Sequence, residues 1–545
     1  MQLPVVLRRF VASATWATLP VGLRRLLLAA LLVHALLCGL FIYHTDFTSD
    51  ESDYFGYAVR WAQGHPERVH LLDDSKSPIV APSLWAVPFK RWLQPRHDTY
   101  GHRLLQAGRL GMYVYAALLL YTLACWMHRW RPDQRWWWIW LLCLFDPLLI
   151  SYSMLVGSDL PAAALLLATC YCAWRYWHTG QQHYWWRMSL LAALAMVAKA
   201  SMLYILPMLL PLFWLVPARR RSSPGSWLRR WVGTVALVLL VINAAYYFKG
   251  SFFSWRQLPQ TSQAFQRLAA GTRWLQAVPV PLPYAYVSGF DALQKNAEFG
   301  GGDRNENSFS GVYVAGHYQR TGPVWYYYVV MWLYKWPVLC WLLWLGSLLL
   351  WLRHSQRWQL LRCHAFMWFP PLFFGLVLSF TNPFQIGIRH SLLLLPFMYL
   401  LLLPAAAWCW QKMARWWQAA VVLHTLSLLS YWPNMIAYTN ELWWPKAKVF
   451  LLMNDSSISY GNSKRLLAEF LRQHPQYQVP TATPAAGFFA IDIERLGTNL
   501  NTYGLDWLRN HCEPVGHYRH TVILYHVTAA DLARLQAVKS HTMSR

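Results

Sequence analysis

Asp50, Glu51 and Asp53 lie within ten residues, Thr48 to Tyr57, directly after an apolar run from Leu26 to Tyr43. Three carboxylates at the mouth of a membrane helix suit two kinds of chemistry. A carboxylate facing inward can remove a proton from an incoming hydroxyl. It can also hold a divalent cation against a phosphate. The simpler alternative is a solvated acidic turn in which Ser49 or Asp50 caps an interfacial helix.

Other ionisable residues sit in or beside apolar runs, where charge is costly and marks candidate sites. Asp159 opens an apolar run in Gly157-Ser158-Asp159-Leu160-Pro161, as a helix cap, a site residue or both. Asp146, before Pro147, suits bonding to a freed backbone group. Lys76 precedes Ser77-Pro78, Lys199 separates two short apolar runs, and Lys335 stands just before Pro337. Taken singly, a loop lysine is solvated and a helix-end lysine snorkels to headgroups. Arg389 and His390 end a short loop, and an Arg there offers a planar fork that matches phosphate oxygens. Together these residues place carboxylates and cations on one membrane face. The cations suit an anionic phosphate and the carboxylates suit a hydroxyl nucleophile or a metal.

The elements that must position them are membrane helices. Of 545 residues, 56% are hydrophobic and only 13% charged, against about 25% charged in a soluble domain. The 35 Trp and 30 Tyr fit interfacial belts. The net charge of +25 resides mostly in short loops between apolar runs, which points to anionic lipid and topology rather than nucleic acid. The nine Cys show no metal-ligand spacing and read as small buried hydrophobes. The run after Arg24 and Arg25 reads as a spanning helix, not a cleaved signal.

The basic, acid-free residues 1–25 place the N-terminus in the cytoplasm, and the Arg-rich loop Ala218 to Arg230 is the strongest cytoplasmic signal. Apolar runs then predict about eleven crossings. The fold class expected is a mainly α, polytopic transmembrane helix bundle over residues 1–433, with outer loops at about 45–108 and 249–322. Residues 434–545 have ordinary polar composition and predict a small exoplasmic α/β domain. A helix is expected at Ser463 to Gln473, with strands at Gly487 to Ile493 and Thr521 to Val527.

Asp50-Glu51 after the first helix resembles the Asp-Glu motif of GT-C-fold glycosyltransferases, among them the protein O-mannosyltransferases and the bacterial aminoarabinose transferases. Lys76-Ser77-Pro78 resembles their Lys-Pro-Pro segment, and Ala107-Gly108-Arg109-Leu110 is similar to the opening of their second helix. Asp159 stands where they carry a second acid, and Ala198-Lys199 resembles a Thr-Lys turn. Lys335-Trp336-Pro337 and Gly387-Ile388-Arg389-His390 are similar to motifs of a bacterial branch. So are Ala437-Tyr438-Thr439-Asn440, Asn454-Asp455-Ser456 and Tyr460-Gly461-Asn462. Ser77, Tyr460 and Asn462 depart from the pattern.

The resemblance implies an inverting transfer of a sugar from a polyprenyl-phosphate donor to a glycan, lipid or protein acceptor outside a bacterial inner membrane. It implies Asp50 as general base, Glu51 shaping the site or sharing a metal, and Asp159 orienting the acceptor. Lys76, Arg389 and His390 would hold the donor phosphate, with Lys199 and Lys335 as helpers. The reading fixes no cofactor and leaves one open, a divalent cation held by Asp50 and Asp159 if the two meet in space. The alternatives are a transporter or flippase, or a polymerase or ligase, of lipid-linked sugars. A transporter would spread charges through the membrane, and a polymerase or ligase would not need the Asp50-Glu51 pair.

Overall fold

The computed structural model describes residues 20–69, 73, 75–93, 102–131, 135–216, 223–271, 276, 278–298, 312–319, 322–497 and 504–535. Arg8, Arg9, the basic run 219–221 and the Gly-rich stretch 299–311 lie outside them. The chain is mainly helical. Four helices are long and apolar enough to cross a membrane: Val21–His44, Arg103–Trp130, Pro224–Ala245 and Ile388–Lys412. Two bent pairs raise this to six if each is one span: Tyr327–Lys335 with Val338–Arg353, and Arg357–Cys363 with Ala365–Phe380. The eleven crossings expected from apolar runs exceed what length and composition establish among the described residues.

One reason is that several apolar runs are broken. The apolar stretch that begins at Trp136 and runs towards Val156 forms two helices, Trp137–Leu144 and then Pro147–Tyr152. Pro147 removes an amide donor, so a new helix must start there. Asp146 caps it, its Oδ1 accepting from the Leu148 and Leu149 amides at 2.8 and 3.4 Å. The Tyr399 hydroxyl donates to the other oxygen at 2.6 Å. Asp146 is thus a satisfied structural acid.

The break at Pro337 turns the chain by 113°. Such a break leaves helix-end carbonyls without donors. Asn440 supplies them. Its Nδ2 donates to the Leu333 and Trp336 carbonyls at 2.6 and 2.7 Å, and its amide donates to the Tyr334 carbonyl at 2.8 Å.

Asp159–Thr179 is the central helix. It packs against Tyr113–Trp130, Gln182–Ala198, Ala365–Phe380 and the 3-10 turn Ile388–Leu394. Leu160 to Cys170 are buried without interruption, as an all-apolar helix in a bundle core requires. Gly180, at φ +70°, ends it and lets Gln182–Ala198 fold back alongside.

After the first helix, the chain forms Glu51–Ala62, the 3-10 segment Pro78–Phe89 and the helix His102–Gly111. These three pack together. The expected long outer loop 249–322 holds structure of its own: strands β1 Phe253–Ser254 and β2 Pro279–Val280, helix Tyr284–Glu298, and the hairpin β3 Val312–Val314 and β4 His317–Gln319.

Near the C-terminus is a four-stranded sheet of β5 Tyr477–Gln478, β6 Gly487–Asp492, β7 Pro514–Tyr518 and β8 Val522–Val527, in the order β5-β6-β8-β7. β5 pairs parallel to β6, and β8 pairs antiparallel to both β6 and β7. Helix Lys464–Gln473 covers it through Leu466 and Phe470, which meet Ala490 and Val522. This unit meets the end of the first helix. The Asp46 amide donates to the Asn462 carbonyl at 3.4 Å, and the Arg465 amide donates to Asp46 Oδ2 at 2.6 Å.

The helix His102–Gly111 lies close on Pro78–Phe89 because two glycines face it. A Cβ on Gly111 would stand 2.1 Å from the Pro82 carbonyl oxygen, and one on Gly108 would stand 2.8 Å from that of Ser83. Gly111→Ala must push backbone from backbone, an overpacking that costs about 1–3 kcal/mol. We expect a clear fall in the thermal unfolding midpoint of the detergent-solubilised protein, while a control alanine at Gly157, where a Cβ meets nothing within 4 Å, leaves it in place.

Candidate functional site

Asp50 is the residue before helix Glu51–Ala62, yet its side chain makes no capping bond. The carboxylate is therefore free to point elsewhere, and it meets groups from three other parts of the chain. Arg389 Nη1 donates to Oδ2 at 2.9 Å, and the Tyr460 hydroxyl donates to the same oxygen. Lys76 Nζ stands 3.9 Å from Oδ1. One third of the Asp50 side chain stays exposed, whereas that of Lys76 is only 3% exposed.

Arg389 extends the cluster to Asp159, whose Oδ2 is 3.9 Å from the same Nη1. Asp159 Oδ1 accepts from Lys199 Nζ at 2.5 Å. Aromatic rings line the cations. The Arg389 guanidinium lies 4.2 Å from the Tyr460 ring centroid, and Lys76 Nζ lies 4.3 Å from that of Tyr54. The Tyr54 hydroxyl is 2.9 Å from Ser158 Oγ, which ties the helix after Asp50 to the one that Asp159 opens. His390 stands within electrostatic reach of Lys199, Arg389 and Asp159. Asp53 is half-buried, and its field reaches Lys76.

Burial alone would raise the Asp50 carboxyl. Arg389 and Lys76, with the Tyr460 hydroxyl bond, overcome that and hold it well below the usual carboxylate range. Burial pushes Lys76 down, and the Asp50 and Asp53 carboxylates oppose the shift.

Two residues expected in the cluster are placed elsewhere. Glu51 is 1% exposed, and both of its oxygens are taken. Arg109 Nε and Nη2 donate to Oε1 and Oε2 at 2.8 and 2.5 Å as a two-pronged fork. The Thr48 amide and hydroxyl donate to Oε2 at 2.8 and 3.0 Å, and the Val156 amide donates to Oε1 at 3.0 Å. Glu51 therefore shapes the site by clamping the first loop to the chain before Asp159; no lone pair faces the Asp50 cluster. Lys335 is fully buried and donates to the Ile436 and Ser457 carbonyls at 2.6 Å each. It staples the late segment to the broken helix instead of meeting a headgroup.

Arg109 and Tyr460 were present in the sequence reading only as motif letters, without roles. The signal for Arg109 is an Arg flanked by Gly108 and Gly111. Tyr460 gave none beyond its departure from the expected pattern.

The metal reading fares poorly on the chemistry of the donor set. The space between Asp50 and Asp159 holds the Arg389 guanidinium, and Lys76 and Lys199 flank it. Three cations already face two carboxylates in this ion-paired set, and a divalent ion would be repelled. No group of three or more His, Cys, Asp or Glu suited to a metal occurs among the described residues. The cluster suits an anion: the cations can exchange their internal carboxylate partners for phosphate oxygens.

Glu51→Gln would leave the Arg109 guanidinium buried without its counter-charge, a change that costs about 3–5 kcal/mol. The expected outcome is a large loss of folded protein and of the thermal midpoint. The double variant Glu51→Gln with Arg109→Met recovers part of it; an unchanged midpoint in the single variant would show that the clamp does not stabilise the fold. No protein family, curated protein or solved structure compared with this chain matches it.

Proposed function

We propose that the chain is an integral-membrane glycosyltransferase of the GT-C type. It takes a sugar from a polyprenyl-phosphate donor and delivers it, with inversion, to an acceptor hydroxyl on the outer face of a bacterial inner membrane. The N-terminus is cytoplasmic in this reading, and the C-terminal sheet lies in the periplasm. The observation that carries the proposal is the convergence of Asp50, Lys76, Asp159, Lys199 and Arg389 from separate segments into one ion-paired cluster that leaves Asp50 partly exposed. The contact of the C-terminal unit with the chain at Asp46 supports placing both on one side of the membrane.

In this mechanism the donor phosphate draws Arg389 and Lys76, with His390 and Lys199 nearby, away from the carboxylates. Asp50 then loses the fields that hold its pKa down and becomes a stronger base, within reach of the acceptor hydroxyl. The acceptor oxygen forms a bond to the anomeric carbon from the face opposite the phosphate. The anomeric carbon–oxygen bond to phosphate breaks, and its electron pair leaves on the lipid phosphate. The acceptor proton passes to Asp50. Cations at the leaving phosphate stabilise the charge that develops there, in a site of low dielectric. Asp159 keeps Lys199 and Arg389 oriented.

The test is transfer from a panel of polyprenyl-phosphate sugars in membranes, comparing wild type with Asp50→Asn at matched expression. Loss of a general base predicts a fall of about 100- to 10,000-fold. Equal activity in the two would remove Asp50 from the reaction, and a lipid-linked sugar that changes leaflet without being consumed would favour transport.

The pH dependence follows from the low pKa of Asp50. A depressed carboxyl stays ionised as the pH falls through the ordinary Asp range near 3.9. The free enzyme therefore keeps its base as pH falls from neutral through about 3.9, and kcat/KM shows no acid limb from Asp50 over that range. An acid limb that is absent from Asp50→Asn would contradict the ion-paired state.

A further inference from the structure

Among the described residues, Tyr460 is the one neutral side chain that donates a hydrogen bond to the partly exposed carboxylate of Asp50. Its hydroxyl donates to Asp50 Oδ2, the oxygen that Arg389 also holds. A general base must accept a hydrogen bond from the hydroxyl it deprotonates, so a nucleophile must reach an Asp50 oxygen in this way. The Tyr460 hydroxyl makes that bond already.

The turn that carries Tyr460 is built to hold it there. The Ser49 amide donates to the Tyr460 carbonyl at 3.1 Å, and Asn462 Oδ1 accepts from the Tyr460 amide at 2.9 Å. Gly461 stands at φ +76°, a conformation that favours glycine. A Cβ there would lie 2.7 Å from Ser49 Oγ. On its other side the segment grips the loop before Arg389. Ser456 Oγ donates to the Ile386 carbonyl at 2.5 Å, and the Ile388 amide donates to Ser457 Oγ at 3.1 Å. One short stretch thus sets both Arg389 and the hydroxyl on Asp50.

We infer that the Tyr460 hydroxyl occupies the seat of the acceptor hydroxyl on Asp50, and that the Tyr460–Asn462 turn gates acceptor entry. This rests on the glycosyltransferase reading above. In the resting protein the phenol occupies Asp50 Oδ2. When the donor phosphate takes Arg389, the ring loses its stacked cation, and an incoming hydroxyl displaces the phenol from Asp50. An acceptor phosphate would meet the carboxylate as a like charge, so the seat fits a neutral hydroxyl.

The test uses the full-length protein in proteoliposomes with a polyprenyl-phosphate sugar. Three acceptors are compared: water, read as donor hydrolysis, a methyl glycoside and an alkyl phosphate. Tyr460→Phe removes the hydroxyl and keeps the ring beside Arg389. It is expected to raise donor hydrolysis several-fold relative to transfer and to lower KM for the methyl glycoside, with the alkyl phosphate unused. Gly461→Ala pushes the turn off Ser49 and shifts hydrolysis the same way. A fall in kcat with KM and the hydrolysed fraction unchanged would make Tyr460 a positioning residue only and overturn the gate. Preference for the alkyl phosphate would overturn the seat.

A second readout separates this inference from the function on which it rests. Labelling of Asp50 by a water-soluble carbodiimide and an amine, followed by mass spectrometry, needs no turnover. Tyr460→Phe is expected to raise that labelling several-fold even if no donor is ever consumed, an outcome that would sink the glycosyltransferase reading alone. Unchanged labelling overturns the inference whatever the assay shows.

Discussion

Two carboxylates can share a half-buried boundary only if cations stand between them. Arg389 meets that condition for Asp50 and Asp159, and Lys76 and Lys199 take the remaining oxygens. The partners come from distant stretches of sequence, so the constraint reaches far into the fold. The first loop, the start of the central helix, the turn at Lys199 and the turn before Leu395 must all arrive at one place. Arg serves better than Lys at the centre, because one planar group meets two acids and a ring face together.

The late segment from Ile436 to Asn462 connects this cluster to the stability of the bundle. Asn440 closes the helix end that Pro337 breaks, and Lys335 holds the Ile436 and Ser457 carbonyls. The Tyr152 hydroxyl holds the Ser456 carbonyl at 3.1 Å. A fully buried lysine amine is tolerated here because backbone oxygens replace the water it gives up. The same segment ends in the turn that presents Tyr460. Backbone groups orphaned by one proline are thereby satisfied by the same stretch that completes the charged cluster.

Much of this was legible from residue types. A charge beside an apolar run has to be justified, and that rule alone picked out Asp50, Lys76, Asp159, Lys199 and Arg389. The rule is blind to which acid meets which base. It grouped Glu51 with Asp50 because they are neighbours in sequence, yet on a helix start adjacent side chains diverge: Glu51 turns inward to Arg109 and Asp50 outward to Arg389. It set Lys335 at a membrane surface because snorkelling is the usual fate of a helix-end lysine, whereas the carbonyls that bury it lie about a hundred residues later. Hydropathy runs on through Asp146-Pro147, so it is the proline and its capping acid, and not the apolar pattern, that mark the helix break there. Two of the four strands, β6 and β8, are legible as short apolar runs and the helix Lys464–Gln473 as an amphipathic one, whereas β5 and β7 carry no such run and were not expected.

The resting cluster satisfies its own charges, and this bears on how selective it can be. A site of uncompensated cations would bind any anion that reached it. Here an anion must replace carboxylates already in place, and it gains only where its oxygens match the Arg389 fork and the lysines better than Asp50 and Asp159 do. Phosphate offers several oxygens on one centre and can meet more than one cation at once, whereas a monovalent ion such as chloride cannot. In the proposed transfer, the same exchange releases Asp50 at the moment the leaving group is secured. On the proposed mechanism that coupling comes from one shared partner: Asp50 and the donor phosphate compete for the Arg389 guanidinium, so Asp50 is the weaker base whenever the donor is absent.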